Sequence, residues 1–194
     1  MNIEDVFQEV LRIVSASCPG KEPKVLANGV RLFCHQPEIA PLAWLHVVFA
    51  PLDCGTIEAT EQRLNTQLPE DYKSFLQQTN GLMLFSYKVS VWGVRTTMIQ
   101  RVGDDAWAPH DIVDHNLPHE RPDKSPSEVL FFAAADDGDN WCFFEFSNQG
   151  YRIGKTERHH FNPVSYWPSF ETWLFSEIES LQRDYTSGSR SGIA

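Results

Sequence analysis

The 194-residue sequence predicts an α+β fold, with a mainly antiparallel sheet and helices packed against it. Apolar residues recur at helical spacing near both ends of the chain and near residue 70, and several short apolar runs between them have the length of strands. Most of these runs follow one another without an intervening helix, which favours antiparallel pairing over a doubly wound parallel sheet. With 42% hydrophobic and 12% aromatic residues, the chain can bury one core of ordinary size.

The first helix is predicted from an apolar stripe that begins at Ile3 and ends at Val14. Two strands are expected after it, at residues 30–34 and 44–49. We expect residues 1–185 to form a single domain, in which residues 1–55 are an extension packed on a core of residues 56–181. The small and polar residues 186–194 are expected to form a mobile tail.

Two further helices are predicted to meet at Leu68-Pro69. Thr56 can cap the first of them, and Pro69 suits the first turn of the second because its missing N–H is harmless there. Asn80 and Gly81 tolerate left-handed backbone dihedrals, so they are expected to end the second helix.

The remainder of the chain predicts strands and one last helix. Residues 103–127 hold four prolines, too many for a long helix, and no regular structure is assigned to them. Residues 134–140 are expected to form a hairpin turn, and Ser169 can cap a final helix. The predicted strands of this part are residues 82–85, 89–94, 129–133 and 141–146.

Negative charge is concentrated in one part of the chain. The formal net charge is −10, and residues 102–145 contain eleven acidic side chains against only Arg121 and Lys124. Such a surface would repel nucleic-acid backbones and acidic lipid, and it would attract a basic protein. We therefore expect a protein partner, with no direct nucleic-acid or membrane binding, although acidic loops can also serve only to keep a protein soluble. The sequence does not predict the oligomeric state.

A cytoplasmic location is expected from the amino terminus and the cysteines. The first residues are acidic where a secretory signal would be basic, and no apolar run reaches the ~20 residues needed to cross a bilayer. The four cysteines have no CxxC spacing, so we expect free thiols in a reducing compartment. They are Cys18, Cys34, Cys54 and Cys142.

No catalytic, cofactor or metal site is predicted. The sequence lacks GxSxG, GxxxxGK[ST], GxGxxG and HExxH. His159 and His160 are adjacent, so on a strand they would point to opposite faces, and no third metal ligand follows at a suitable spacing. Cys142 lies in an apolar strand, where a cysteine is usually an inert small hydrophobe. An enzyme that uses His159, His160 or Cys142 remains an alternative.

Several motifs together resemble the SUKH superfamily, which includes the fungal Smi/Knr cell-wall regulators. A Glu-containing helix, Leu-Pro, an acidic pair, an aromatic residue, Phe and a closing Asn-Gly occur here as Glu61, Leu68-Pro69, Glu70-Asp71, Tyr72, Phe75 and Asn80-Gly81. The superfamily's hydrophobic-Gly strand end, acidic glycine turn and final Ser-Phe helix resemble Trp92-Gly93, residues 136–139 and Ser169-Phe170. Asn65 and Leu82 stand where the superfamily often has glycine, and the first 55 residues have no counterpart.

The resemblance implies a SUKH-like α+β fold without known catalytic residues. In many bacterial members it implies an immunity protein that neutralises a nuclease or deaminase toxin by direct binding, whereas fungal members regulate cell-wall synthesis through protein partners. We expect an immunity protein that binds a basic toxin domain, with an intracellular regulator or scaffold of the Smi/Knr type as the alternative. The predicted partner-binding residues are Asp104, Asp105, Trp107, Asp111, Asp114, Asp136, Asp137 and Asp139.

Trp107 has two interpretations on sequence grounds. An exposed loop tryptophan makes a good anchor for a partner, but it can also fold back onto its own domain. The six tryptophans are not interleaved with basic residues, which argues against a platform for single-stranded nucleic acid.

Overall fold

The predicted α+β class with an antiparallel sheet is confirmed by a computed structural model, which describes residues 2–96 and 107–191. Nine strands form one sheet in which each strand pairs with the next along the chain, always antiparallel. The strands are β1 (Lys24–Val25), β2 (Arg31–His35), β3 (Trp44–Val48), β4 (Leu82–Leu84), β5 (Val89–Val91), β6 (Val129–Ala135), β7 (Asn140–Ser147), β8 (Gly150–Glu157) and β9 (Pro163–Trp167). The helices are α1 (Ile3–Ala16), α2 (Cys54–Leu64), α3 (Glu70–Leu76), α4 (Ile112–His115) and α5 (Phe170–Ser191).

Helices α1, α3 and α5 contact one another, and α5 also contacts β8 and β9. The apolar stripe predicted for α1 is buried, and Asn2 caps this helix by accepting a hydrogen bond from the N–H of Asp5 at 2.8 Å. Helix α3 supplies Tyr72 and Phe75, both without exposed surface. The two rings lie 5.2 and 5.1 Å from the ring of Phe170 in α5, so an aromatic cluster joins the short helix to the long one.

The chain departs from the sequence prediction at several points. Asp53, rather than Thr56, caps α2, because its carboxylate accepts the N–H of Thr56 at 2.8 Å. Strands β8 and β9 were not predicted, and the polar segment contains the short helix α4. Helix α5 continues to Ser191, into the segment predicted to be a tail. The mobility of that tail and the domain bounds stay predictions.

A close backbone contact joins the end of α3 to the end of β5. The side-chain amide of Asn80 donates to the carbonyl oxygen of Val94 at 2.8 Å and accepts from its N–H at 2.6 Å. A Cβ atom on Gly93 would lie 2.2 Å from the carbonyl oxygen of Asn80, and one on Gly81 would lie 2.5 Å from that of Val91. Only glycine fits at either position, and Gly81 also has a left-handed φ of 83°.

The expectation of four free thiols is wrong, because Cys18 and Cys34 form a disulfide. Cys18 follows α1 and Cys34 lies on β2, so the packing of these two elements brings together cysteines that are 16 residues apart in sequence. Cys54 and Cys142 are free. The cysteines therefore no longer support the expected cytoplasmic location. Of the helices that the structure describes, none combines the length and apolar composition needed to span a bilayer.

Loss of the Asn80 side chain is expected to destabilise the fold. Asn80→Ala would leave a buried N–H and a buried carbonyl of Val94 without partners, so the free energy of unfolding should fall by about 2–4 kcal/mol. Urea denaturation of the variant and the parent protein measures this difference.

Asn65→Gly is the matched control for that substitution. Asn65 ends α2 with a left-handed φ of 52°, which glycine adopts without strain, so a change of less than about 1 kcal/mol is expected. Equal stability of Asn80→Ala and the parent would contradict the structural role of Asn80.

Thiol counting tests the disulfide. In protein purified without reductant and unfolded in guanidinium, two of the four cysteines should react with iodoacetamide, and all four should react after reduction. Mass spectrometry gives these counts, and four reactive cysteines without reductant would contradict the pairing. Since the bond closes a loop of 16 residues, its reduction should lower the free energy of unfolding by about 3 kcal/mol.

Candidate functional site

Two buried tryptophans lie at the floor of a small cavity. Trp92 follows β5 and Trp141 lies on β7, and their exposed fractions are 1% and 4%. Their ring centroids are 4.9 Å apart with the planes at 85°, an edge-to-face contact. Phe131 and Phe143 continue this aromatic surface along the sheet, whereas their neighbours Phe132 and Phe144 contact the helical aromatic cluster.

Backbone hydrogen bonds at Gly93 hold residues 110–112, which lead into α4, beside these rings. The N–H of Gly93 donates to the carbonyl of His110, and the N–H of Ile112 donates to the carbonyl of Gly93, each at 2.9 Å. These bonds fix the start of α4, which places the ring of His115 4.2 Å from that of Trp92 and 5.3 Å from that of Trp141. The family-like Trp92-Gly93 pair therefore supplies both the floor and the attachment point of the cavity.

The cavity has a volume of about 200 Å³. We call it the tryptophan cavity and define it by Ser90, Trp92, His110, His115, Trp141 and Arg158. Tyr87 and Asp137 also border it, and both side chains are partly exposed at its mouth.

The two histidines of the cavity, His110 and His115, are neutral at pH 7. Burial is the main cause that lowers the pKa of His115 to about 4, and the nearby His110 adds to this effect. The pKa of His110 is also lowered, first by burial and then by the charge of Arg95. A neutral imidazole keeps one nitrogen that can accept a hydrogen bond.

Four of the predicted aspartates belong to the two segments that contribute residues to the lining of this cavity, and we call them the acidic rim. Three of them, Asp136, Asp137 and Asp139, belong to the turn between β6 and β7, and the fourth, Asp114, lies on α4. Asp114 is close enough to His115 to raise its pKa against the effect of burial. The cavity thus draws lining residues from two acidic segments, whose residues Asp114 and Asp136 are 22 residues apart in sequence.

The charges of three rim residues are partly compensated. Asp114 forms an ion pair with Arg95 at 3.3 Å, and Asp136 forms one with Lys155 at the same distance. Asp137 is paired with Lys88. All three carboxylates keep between 52% and 57% of their surface exposed, so they remain available to a second partner.

Two predicted site residues, Asp111 and Trp107, lie elsewhere or serve another purpose, and two more lie outside the described residues. The expectation for Asp111 needs correcting, because it is 3% exposed and its carboxylate caps α4 by accepting the N–H of Val113 at 2.8 Å. Trp107 is partly buried against a second apolar cluster that includes Val47, and it borders a different cavity. It therefore folds back onto its own domain. Asp104 and Asp105 lie outside the described residues.

The family-like residues have structural contacts. Glu61 accepts the N–H of Leu68 at 2.8 Å and lies 3.5 Å from the ammonium group of Lys73, which fixes the Leu68-Pro69 step between α2 and α3. The hydroxyl of Tyr72 donates to the carbonyl of Trp92 at 2.7 Å, which ties α3 to the floor of the cavity. Glu61, Leu68, Pro69, Phe75, Asn80, Gly81, Trp92 and Gly93 are all buried.

The side chains considered for chemistry are not assembled into a site. Burial raises the pKa of the Cys142 thiol, which keeps it protonated and unreactive. His159 and His160 are exposed and border none of the tryptophan cavity. Within residues 2–96 and 107–191, no three His, Cys, Asp or Glu side chains cluster in a way that could hold a metal ion.

Sequence reasoning missed Ser90, His110 and His115. Ser90 lies in a predicted strand and both histidines lie in the segment without assigned structure, so no periodicity connected them. The oxygen of the Ser90 side chain and Nδ1 of His115 are buried, and neither has a hydrogen-bond partner within the described part of the chain. They are therefore not bonded to each other, as an activated serine and its base would be.

These features define an α+β protein with an antiparallel meander and a small aromatic cavity beneath an acidic rim. The chain belongs to the SMI1/KNR4 family (SUKH-1), whose sequence profile matches residues 51–176. The suspected relationship is thereby confirmed, and proteins of this family are generally non-catalytic. A comparison with curated proteins gave no match.

Substitution of Asp111 is expected to affect stability. Asp111→Ala removes the cap of α4, a contact with the N–H of Arg95 at 3.3 Å and an ion pair with Arg63 at 3.7 Å. The free energy of unfolding should fall by about 1–3 kcal/mol. Asp139→Ala, at an exposed position, is the control and should change it by less than about 0.5 kcal/mol in the same urea titration. The opposite ranking of the two variants would contradict this assignment.

Proposed function

We propose that this protein is a non-catalytic binding domain, and that it neutralises a basic nuclease or deaminase toxin domain by docking the acidic rim against it. One observation carries the proposal: the acidic turn supplies Asp137, and the segment of Asp114 supplies His110 and His115, to the lining of one aromatic cavity, although they come from separate segments. Family membership supports a binding role, and the charge of the rim supports a basic partner.

Charge and burial would contribute differently to such a complex. The rim carboxylates are exposed and partly paired, so each adds little to affinity. The net charge of −10 of the whole chain would speed the approach of a basic surface. Affinity requires contacts from which water is excluded, and the tryptophan cavity, which Asp137 borders, offers a place for them. A standard interface of about 800 Å² on each partner would cover under a tenth of the chain's 10592 Å² of accessible surface.

The alternative function is a regulator or scaffold of the Smi/Knr type. The ion pairs of Lys88, Arg95 and Lys155 with the rim favour it, since they show that these aspartates also serve the protein's own fold. In that case the rim would be a solvated and internally compensated surface, and partner binding would not depend on it.

Charge reversal at the rim separates the two functions. The chain is co-expressed with a basic nuclease or deaminase toxin domain, chosen from the neighbouring genes where they encode one, and dissociation constants are measured at low and high salt. The variant Asp114→Lys/Asp137→Lys/Asp139→Lys should bind at least about tenfold more weakly at low salt, and the difference should shrink at high salt because salt screens the charges.

The control carries the same change of net charge at exposed positions away from the rim, as Glu22→Lys/Glu38→Lys/Glu179→Lys. It should bind within about threefold of the parent. Equal weakening by both variants, or by neither, would refute docking through the rim, and circular dichroism would verify that both variants are folded.

A further inference from the structure

We propose that the tryptophan cavity receives one tyrosine side chain of the bound partner. This inference rests on the proposed function, because it names the anchor that the rim would surround. It is argued from the size, the lining and the unpaired polar atoms of the cavity.

The volume of the cavity suits a single ring. Sites for drug-sized ligands usually span about 300–1,000 Å³, whereas an apolar cavity of about 150 Å³ holds benzene. At about 200 Å³, the tryptophan cavity has room for a six-membered ring with one substituent. The rings of Trp92, Trp141 and His115 surround that space, and aromatic rings pack well edge to face against such walls.

Two polar atoms in the lining call for a hydrogen-bonding guest. Ser90 is 4% exposed. Its hydroxyl oxygen and Nδ1 of His115 are both buried, and neither atom has a hydrogen-bond partner among the described residues. A phenolic hydroxyl both donates and accepts, so it can donate to the neutral imidazole of His115 and accept from Ser90. Phenylalanine would fill the same volume but leave both atoms unpaired.

The charges around the cavity disfavour a cationic guest. Burying a guanidinium or ammonium group requires a carboxylate inside the cavity, and the nearest carboxylates lie at its mouth. Asp137 and Asp114 already pair with Lys88 and Arg95, and the cationic Arg158 also borders the cavity. A neutral ring with a polar tip avoids this cost, and buried tyrosines are frequent anchors of protein interfaces.

The test uses blocked amino acids and the whole chain without a partner. N-acetyl-tyrosinamide, N-acetyl-phenylalaninamide and N-acetyl-argininamide are titrated separately while the indole N–H signals of Trp92 and Trp141 are followed by NMR. The tyrosine compound should shift both signals with a dissociation constant on the order of 1 mM. The phenylalanine and arginine compounds should bind roughly tenfold more weakly.

The variant Ser90→Ala tests whether the Ser90 hydroxyl causes the preference for tyrosine. The substitution removes no hydrogen bond made within the described residues, so the variant is expected to fold. It should reduce the preference for tyrosine over phenylalanine from about tenfold to about threefold or less, and leave the affinity for phenylalanine unchanged. An unchanged preference would overturn the role of Ser90.

The outcomes separate this inference from the proposed function. Absence of any shift at Trp92 and Trp141 with the tyrosine compound, or tighter binding of the arginine compound, would overturn the cavity proposal even if the rim variants weaken partner binding. A tyrosine preference that Ser90→Ala reduces to about threefold or less would support it, even if rim variants leave partner binding unchanged. In that second case only docking through the rim would fail.

Discussion

The rest of the structure depends on the close contact between the end of α3 and the end of β5. At this contact, the amide of Asn80 holds both backbone groups of Val94, and the missing side chains of Gly81 and Gly93 allow the two chain segments to touch. A side chain at either glycine would meet a carbonyl oxygen, so the two segments would have to separate. The hydroxyl of Tyr72 adds a third bond between the helix and this strand end.

That contact also determines where the candidate site lies. The N–H of Gly93 bonds to His110 and its carbonyl oxygen bonds to Ile112. The residue that touches the end of α3 therefore also anchors the segment leading into α4. His115 is thereby placed over Trp92, and it lines the same cavity as Asp137 of the turn between β6 and β7. Residues that resemble the family motif are buried, and their contacts position the segments that line the candidate site.

Acidic residues in this protein fall into groups with different physical roles. Asp111 and Glu61 are buried and satisfy backbone N–H groups, which makes them part of the fold. Asp136 and Asp137 are exposed but paired, Asp136 with Lys155 of β8 and Asp137 with Lys88 just before β5, and both still keep exposed carboxylate surface. A count of acids along the sequence cannot distinguish these roles, because it contains neither burial nor the identity of the partner.

The sequence by itself determined the fold class, the stripe of α1, the helix pair around Leu68-Pro69 and the capping of α5 by Ser169. These features depend on residues close together along the chain, where periodicity, capping and the dihedral preferences of glycine and proline act directly. It also indicated the two acidic segments. Only the tertiary structure decided that Cys18 meets Cys34, that Asp111 is buried, and that Ser90 and His115 share a cavity with Trp92 and Trp141. Such contacts join residues far apart in sequence, and they arise only when the helices and the strands of the sheet pack together.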